Sequence, residues 1–279
     1  MAKKPKEWLK KLIGTPGISI DDQLFTMDSK TLDQQASPMH KPSILLDRFR
    51  QDDVMGILKK LNIIDKLEKS GFTDIILDID IRSYLDQRIN IFYDIRDRQH
   101  LLIEIRMTNG DGRRQVKHTI NKREYSFLLI EWLVMQNPKI SLWEKGRRFP
   151  GQDFPGLPMG YALIDFFQLI ARKLELDGLL CLPEFFHNAY FYSRYFYFAE
   201  HQKQAEFLSV LRDLCLSDID RLSNLIESKA VLSVDNKTYE WISKEMVMPI
   251  SRELFDYFNS DRYIKMVQET MKGYRYKEK

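Results

Sequence analysis

Cysteine is scarce, with only Cys181 and Cys215 along 279 residues. Two cysteines do not build a disulfide framework, and Cys181, set in the apolar run 179–182, reads as a small core residue rather than a nucleophile. Histidine is thin as well. His40, His100, His118, His187 and His201 are scattered, none forms HExxH and none pairs with cysteine at zinc spacing, so no metal is expected. The P-loop pattern and the GxSxG elbow are both missing, which argues against P-loop phosphate binding and against a serine hydrolase. No apolar run approaches the roughly 18–20 residues of a membrane span. No apolar signal core follows the lysine-rich start. A net charge of +3 is too small to argue for nucleic acid, and no repeat or low-complexity tract is seen. These absences point to a reducing cytoplasm, to no transmembrane segment and to no nucleic-acid partner.

What is present is an ordinary globular composition. Hydrophobic residues make up 44% and charged residues 30%, enough to bury a real core in one large domain or two small ones. Residues 1–14 set Trp8, Leu9, Leu12 and Ile13 among lysines. That pattern suits either a short helix resting on an anionic membrane or a partner, or a plain N-terminal helix or tail. Residues 15–42 read as a loop-rich arm with one short strand within 18–25. Asp52 or Asp53 can cap a helix running to Lys69, with Val54, Ile57, Leu58, Leu61 and Ile64 as its stripe and Gly71 as its stop. The period then changes to two. Residues 74–81, 88–94 and 101–107 predict an antiparallel meander with one face wet. Residues 109–112, Asn-Gly-Asp-Gly, are a turn, and the basic stretch 113–124 is a solvated hairpin or loop, or else a docking surface for phosphate or an acidic protein.

Residues 127–135 are almost unbroken apolar sequence, which predicts a central strand buried on both faces. Its one charge, Glu131, needs a partner or a raised pKa. A polar loop with Trp143, Lys145, Arg147 and Arg148 leads into a Gly/Pro-rich turn, 150–160. Leu163, Phe166, Phe167, Ile170 and Leu174 then fall at three- and four-residue intervals, predicting a helix over 159–174. A short strand over 179–182 follows, stopped by Pro183, and an aromatic helix begins near Glu184. A loop that opens onto a helix N-terminus offers unpaired N–H groups and suits phosphate. Further on, residues 195–198 read as a strand or a continued helix, residues 204–216 and 217–229 as helices, and 230–248 as weakly patterned. Pro249 stands at a helix start, Ser260 caps a last helix ended by Gly273, and the tail 274–279 reads as loose.

Strand, glycine loop, helix, strand, and a helix with Asn188 and the pair Phe191-Tyr192 resemble the cofactor-binding half of the GNAT-type N-acetyltransferases. The resemblance covers about a third of the chain. It implies an α/β (α+β) fold: a central mixed, largely antiparallel sheet flanked by helices. An arm (1–45) would precede this core (46–203), and a helical C-terminal extension (204–279) would follow it. It also implies acetyl-CoA or another acyl-CoA as co-substrate, and an amine on a small molecule or protein as acceptor. Its cofactor-binding candidates are Val134, Arg147, Arg148, Gly156, Met159, Gly160, Tyr161 and Asn188. Glu131 would deprotonate the amine, with Glu184 and His187 as alternative bases, and Tyr192 would protonate the departing thiolate. The plainer alternatives are a carboxylate paired to arginine for Glu131, a packed core residue for Tyr192 and a capping residue for His187. Pro155 and Pro158 stand in the loop, and proline has no N–H to offer a phosphate. They support a second reading, a non-catalytic relative that meets a protein partner through its C-terminal helices.

Overall fold

A computed structural model of the chain describes residues 42–140, 149–214 and 218–279. The features expected before residue 42, together with Trp143, Lys145, Arg147, Arg148 and Cys215, lie outside these residues. The chain enters the core through Leu45, Leu46 and Phe49, all buried. The helix expected to run to Lys69 is two helices, α1 (Gln51–Lys60) and α2 (Ile63–Lys69). Asn62 between them adopts the left-handed conformation at φ 56°, which no α-helix can run through. Both helices turn the expected stripe inward: Val54, Ile57 and Leu58, then Ile63, Ile64 and Leu67.

The meander forms as its alternation predicts. Strands β1 (Ile75–Ile81), β2 (Gln87–Tyr93) and β3 (Leu101–Thr108) pair antiparallel in sequence. Along β2 every second residue is buried, so one face meets the core and the other is wetter. The basic stretch is a hairpin of β4 (Lys117–Ile120) and the start of β5 (Arg123–Met135). Asn121 and Lys122 turn it at φ 49° and 64°, the left-handed pair that matches strand twist. β5 then runs through the core beside β3.

After β5 the chain crosses on α3 (Gly160–Lys173) to β6 (Gly178–Cys181), which pairs parallel with β5. Next come α4 (Phe186–Tyr192), β7 (Tyr197–Phe198), α5 (His201–Leu214), α6 (Ile219–Glu227) and β8 (Val231–Ser233). The chain closes with β9 (Met246–Pro249), α7 (Arg252–Phe258), α8 (Asp261–Met271) and β10 (Tyr276–Glu278). The main sheet has the order β1-β2-β3-β5-β6-β9-β7, and β8 with β10 makes a second small sheet. The fold is therefore mixed, with a largely antiparallel sheet and helices, as expected.

Three C-terminal expectations are corrected. The stretch 204–279 is more than a helical extension, because β9 lies inside the main sheet between β6 and β7. Pro249 is the last residue of β9, and α7 starts after Ser251. The tail is not loose: Tyr276–Glu278 pairs with β8, and Tyr276 packs edge-on against Tyr239 at 5.0 Å. In each case long-range pairing decides what a local pattern does not. β9 can seat against β6 because Gly178 has no side chain; a Cβ there would lie 2.7 Å from the Met248 carbonyl oxygen.

Candidate functional site

The parallel strands β5 and β6 are paired only from Phe127↔Gly178 to Ile130↔Cys181. β6 stops there, while β5 continues to Met135. At the same point β5 is irregular against its other neighbour: Arg106 faces Trp132 and Met107 faces Ile130, so Glu131 is the extra residue of a bulge. A bulge interrupts the ladder and re-aims a side chain. Glu131 is only 3% exposed and its Oε2 lies 2.9 Å from Nε of Arg106. Burial raises its pKa above the ordinary range; the Arg106 cation opposes this, and Asp86 adds to the rise. The residue thus has both the arginine partner and the raised pKa that its sequence context demanded.

A cavity of about 710 Å³ opens on the wetter sheet face beside this bulge. Its floor is the polar face of three strands: Arg88 and Asn90 from β2, Glu104 and Arg106 from β3, Trp132 and Val134 from β5. One wall is the segment from Gly151 to Phe154. The floor is wired together. Arg88 meets the Asp86 carboxylate at 2.7 and 2.9 Å and Glu104 at 3.4 Å. Trp132 Nε1 donates to Glu104 Oε2 at 3.1 Å.

The glycine segment is docked, not floating. The Phe149 N–H donates to Oε1 of Gln152, whose Nε2 donates to the Phe154 carbonyl. The Asn137 N–H donates to the Pro155 carbonyl at 2.7 Å. Gly151, at φ 72°, lies so close to Phe185 that a Cβ would come within 2.5 Å of the ring. Gly156 and Met159 are buried, while Gly160 is half-buried and Tyr161 exposed. The first bond within α3 runs from the Leu163 N–H to the Met159 carbonyl. Among the described residues, no acceptor takes the N–H groups of Gly160, Tyr161 or Ala162. Arg194 hydrogen-bonds the Tyr161 hydroxyl and stacks over its ring at 5.9 Å. A guanidinium therefore stands at the positive end of α3.

Residues of α4 are less accessible. His187 lies between two rings, Phe149 at 4.5 Å and Phe185 at 5.5 Å, and its Nδ1 meets Ser223 Oγ at 2.9 Å. Burial pushes its pKa down to about 3. It is a neutral, packed residue that does not border the cavity. Tyr192 is fully buried, and burial lifts its hydroxyl pKa well above the usual value, with the Cys181 thiol adding to the rise. Burial raises the Cys181 thiol too, in keeping with a core residue. Asn188, four residues before Tyr192, is also fully buried, and neither of its amide atoms has a partner among the described residues. Glu184 is half-buried.

Of the predicted site residues, the structure puts Val134 in the cavity lining, Glu131 out of the lining but paired with Arg106, which lines it, and Gly160 and Tyr161 at the start of α3. His187, Asn188 and Tyr192 are kept within the core. Sequence reading missed Arg106, Arg88 and Arg194. The alternation of β2 and β3 does place both strand arginines on the wet face, but it does not reveal which residues sit opposite them. Among the described residues, no His/Cys/Asp/Glu cluster is placed to hold a metal ion, and no helix is long and apolar enough to cross a membrane. Comparison with protein-family models, with curated proteins and with solved structures finds no match.

Proposed function

We propose that this chain is a GNAT-like acyltransferase that moves an acetyl or other acyl group from acyl-CoA to an amine. One observation carries the reading: β5 runs past the end of its parallel neighbour into a bulge that holds a buried carboxylate. Ligands of sheets with parallel strands bind beyond the carboxyl ends of those strands, and that is where these two part. The free amides of Gly160 to Ala162 with the Arg194 guanidinium supply the diphosphate's end. In the reaction the amine attacks the thioester carbon, the C–S bond breaks, and the amine's proton passes through the Glu131 carboxylate to the thiolate. Tyr192 is left out of this scheme, because its hydroxyl is fully buried.

The same burial, with Pro158 in the loop, favours the second reading, a non-catalytic relative. Titration with acetyl-CoA separates them. At a hundredfold excess over Kd, binding adds about 2.7 kcal/mol, which raises Tm by about 5 °C. Arg194→Ala weakens acetyl-CoA about tenfold and leaves acetyl-pantetheine, which has no diphosphate, unaffected. No shift at millimolar acetyl-CoA withdraws the acyltransferase and leaves the non-catalytic reading standing.

A further inference from the structure

The cavity floor sets two arginines opposite each other. Arg88 and Arg106 are direct cross-strand partners in the β2–β3 register. Like charges placed directly opposite are destabilising. Each is held by carboxylates: Arg88 by Asp86 and Glu104, Arg106 by Glu131 behind the bulge. The register thus sets the two arginines on neighbouring strands of the cavity floor. Among the described residues nothing pairs with the two terminal nitrogens of Arg106, a residue that lines the cavity. Arg106 is held by charge against the buried Glu131 carboxylate, although its Nε makes no hydrogen bond there, and a guanidinium with unpaired terminal nitrogens is a fork for a planar, two-oxygen anion.

Charge decides which anion. The five arginines lining the cavity are matched by lining carboxylates at Asp97, Glu104 and Asp153 and by Asp86 and Glu131 on the arginines. Asp78 and Asp80 pair with two more of the arginines. No net positive charge remains to attract a dianionic phosphate. A molecule with one carboxylate and one ammonium is neutral overall and meets both signs. Phe92, Phe154 and Trp132 supply apolar walls for its carbon skeleton. A volume of 710 Å³ is that of a small-molecule pocket rather than of a surface that receives a folded protein.

We propose that this cavity is the acceptor site and takes a small amine that also carries a carboxylate, held by the Arg106 fork beside Arg88. The identity of the site as an acceptor site rests on the acyltransferase reading; the carboxylate recognition does not. The test is calorimetry on the full chain without acyl-CoA, using amino acids paired with their decarboxylated counterparts: 4-aminobutanoate with propylamine, lysine with cadaverine, phenylalanine with phenethylamine. At least one amino acid should bind tenfold or more tighter than its counterpart. The double variant Arg106→Gln/Glu131→Gln removes the fork without stranding a buried charge and should erase that preference, while Arg113→Gln in the turn between β3 and β4 retains it. If the double variant does not fold, Arg98→Gln, an exposed change in the same cavity, should reduce the preference at least threefold. No carboxylate preference in any pair, or a preference unchanged in the cavity variants, overturns the proposal. So does tighter binding of a peptide with a free N-terminus than of every amino acid. Carboxylate binding without any acetyl-CoA binding keeps the carboxylate site and removes the acyltransferase. Acetyl-CoA binding without carboxylate preference does the reverse.

Discussion

Two buried ionisable side chains, Glu131 on β5 and His187 on α4, have pKa values that burial moves in opposite directions. For His187 the folded value of about 3 lies below the ordinary 6.5. The unfolded chain therefore takes up a proton first, and stability present above pH 6.5 is lost as pH falls toward 3. Between pH 7 and pH 5 this one residue accounts for about 2 kcal/mol. The double variant His187→Phe/Ser223→Ala keeps the stack between Phe149 and Phe185 and removes the titration. Its Tm should fall less between pH 7 and pH 5 than that of the parent; an equal fall in both shows that the imidazole is not held neutral. Glu131 has the opposite sign. Its folded value lies above the ordinary carboxylate range, so its ionisation costs stability at neutral pH, and the cost fades as pH falls. If the carboxylate accepts the amine's proton, Glu131→Gln lowers kcat by about 10²- to 10⁴-fold. It also abolishes the acid limb of the pH–rate profile and leaves acetyl-CoA affinity as it was. A variant with an intact acid limb removes Glu131 from the chemistry.

At the scale of elements, the segment 149–159, which leads into α3, does the positioning. It walls the cavity with Gly151 to Phe154, ties to the end of β5 through Asn137 and Pro155, and leans on the start of α4 through Phe149, Gly151 and Phe185. The tightest point is Gly151, where a left-handed φ and the Phe185 ring both exclude a side chain. Gly151→Ala should destabilise the chain by about 1–3 kcal/mol, read from the urea midpoint, and should weaken binding in the cavity by displacing its wall. An unchanged midpoint means that the segment is not held at this glycine. The strands of the meander, α3 and β6 could all be read from local spacing, because apolar periodicity reports which face of a single element is buried. The division of the first helix at Asn62 could not. Neither glycine nor proline marks that position: Asn62 tolerates the left-handed conformation, but the apolar stripe runs on through both helices and hides the break.

For the whole molecule, the consequential feature is that β9 sits between β6 and β7. The C-terminal residues therefore complete the sheet that the site is built on. Trp241 makes the same connection, donating to the Pro183 carbonyl just after β6 and packing edge-on against Phe186 of α4. Unfolding should be one cooperative transition. Trp8 and Trp143 remain in every variant, so the emission lost in Trp132→Phe reports the surroundings of β5 and that lost in Trp241→Phe the C-terminal part. Their urea midpoints should coincide once each variant is compared with its own circular dichroism. An earlier fluorescence transition at Trp241 would mean that the C-terminal residues unfold on their own.

The sequence by itself determined the alternation of the meander, the amphipathic helices, the turn residues and the need of Glu131 for a partner. Each depends on the steric and solvation preferences of a few neighbouring residues. Only the tertiary structure decided that Arg106 is that partner, that Arg88 stands opposite it, that β9 enters the sheet, and that His187 and Tyr192 are sealed in the core. Those outcomes depend on strand register and on pairings between residues far apart in the chain. A shift of one residue in strand register would turn Arg88 or Arg106 to the other face of the sheet.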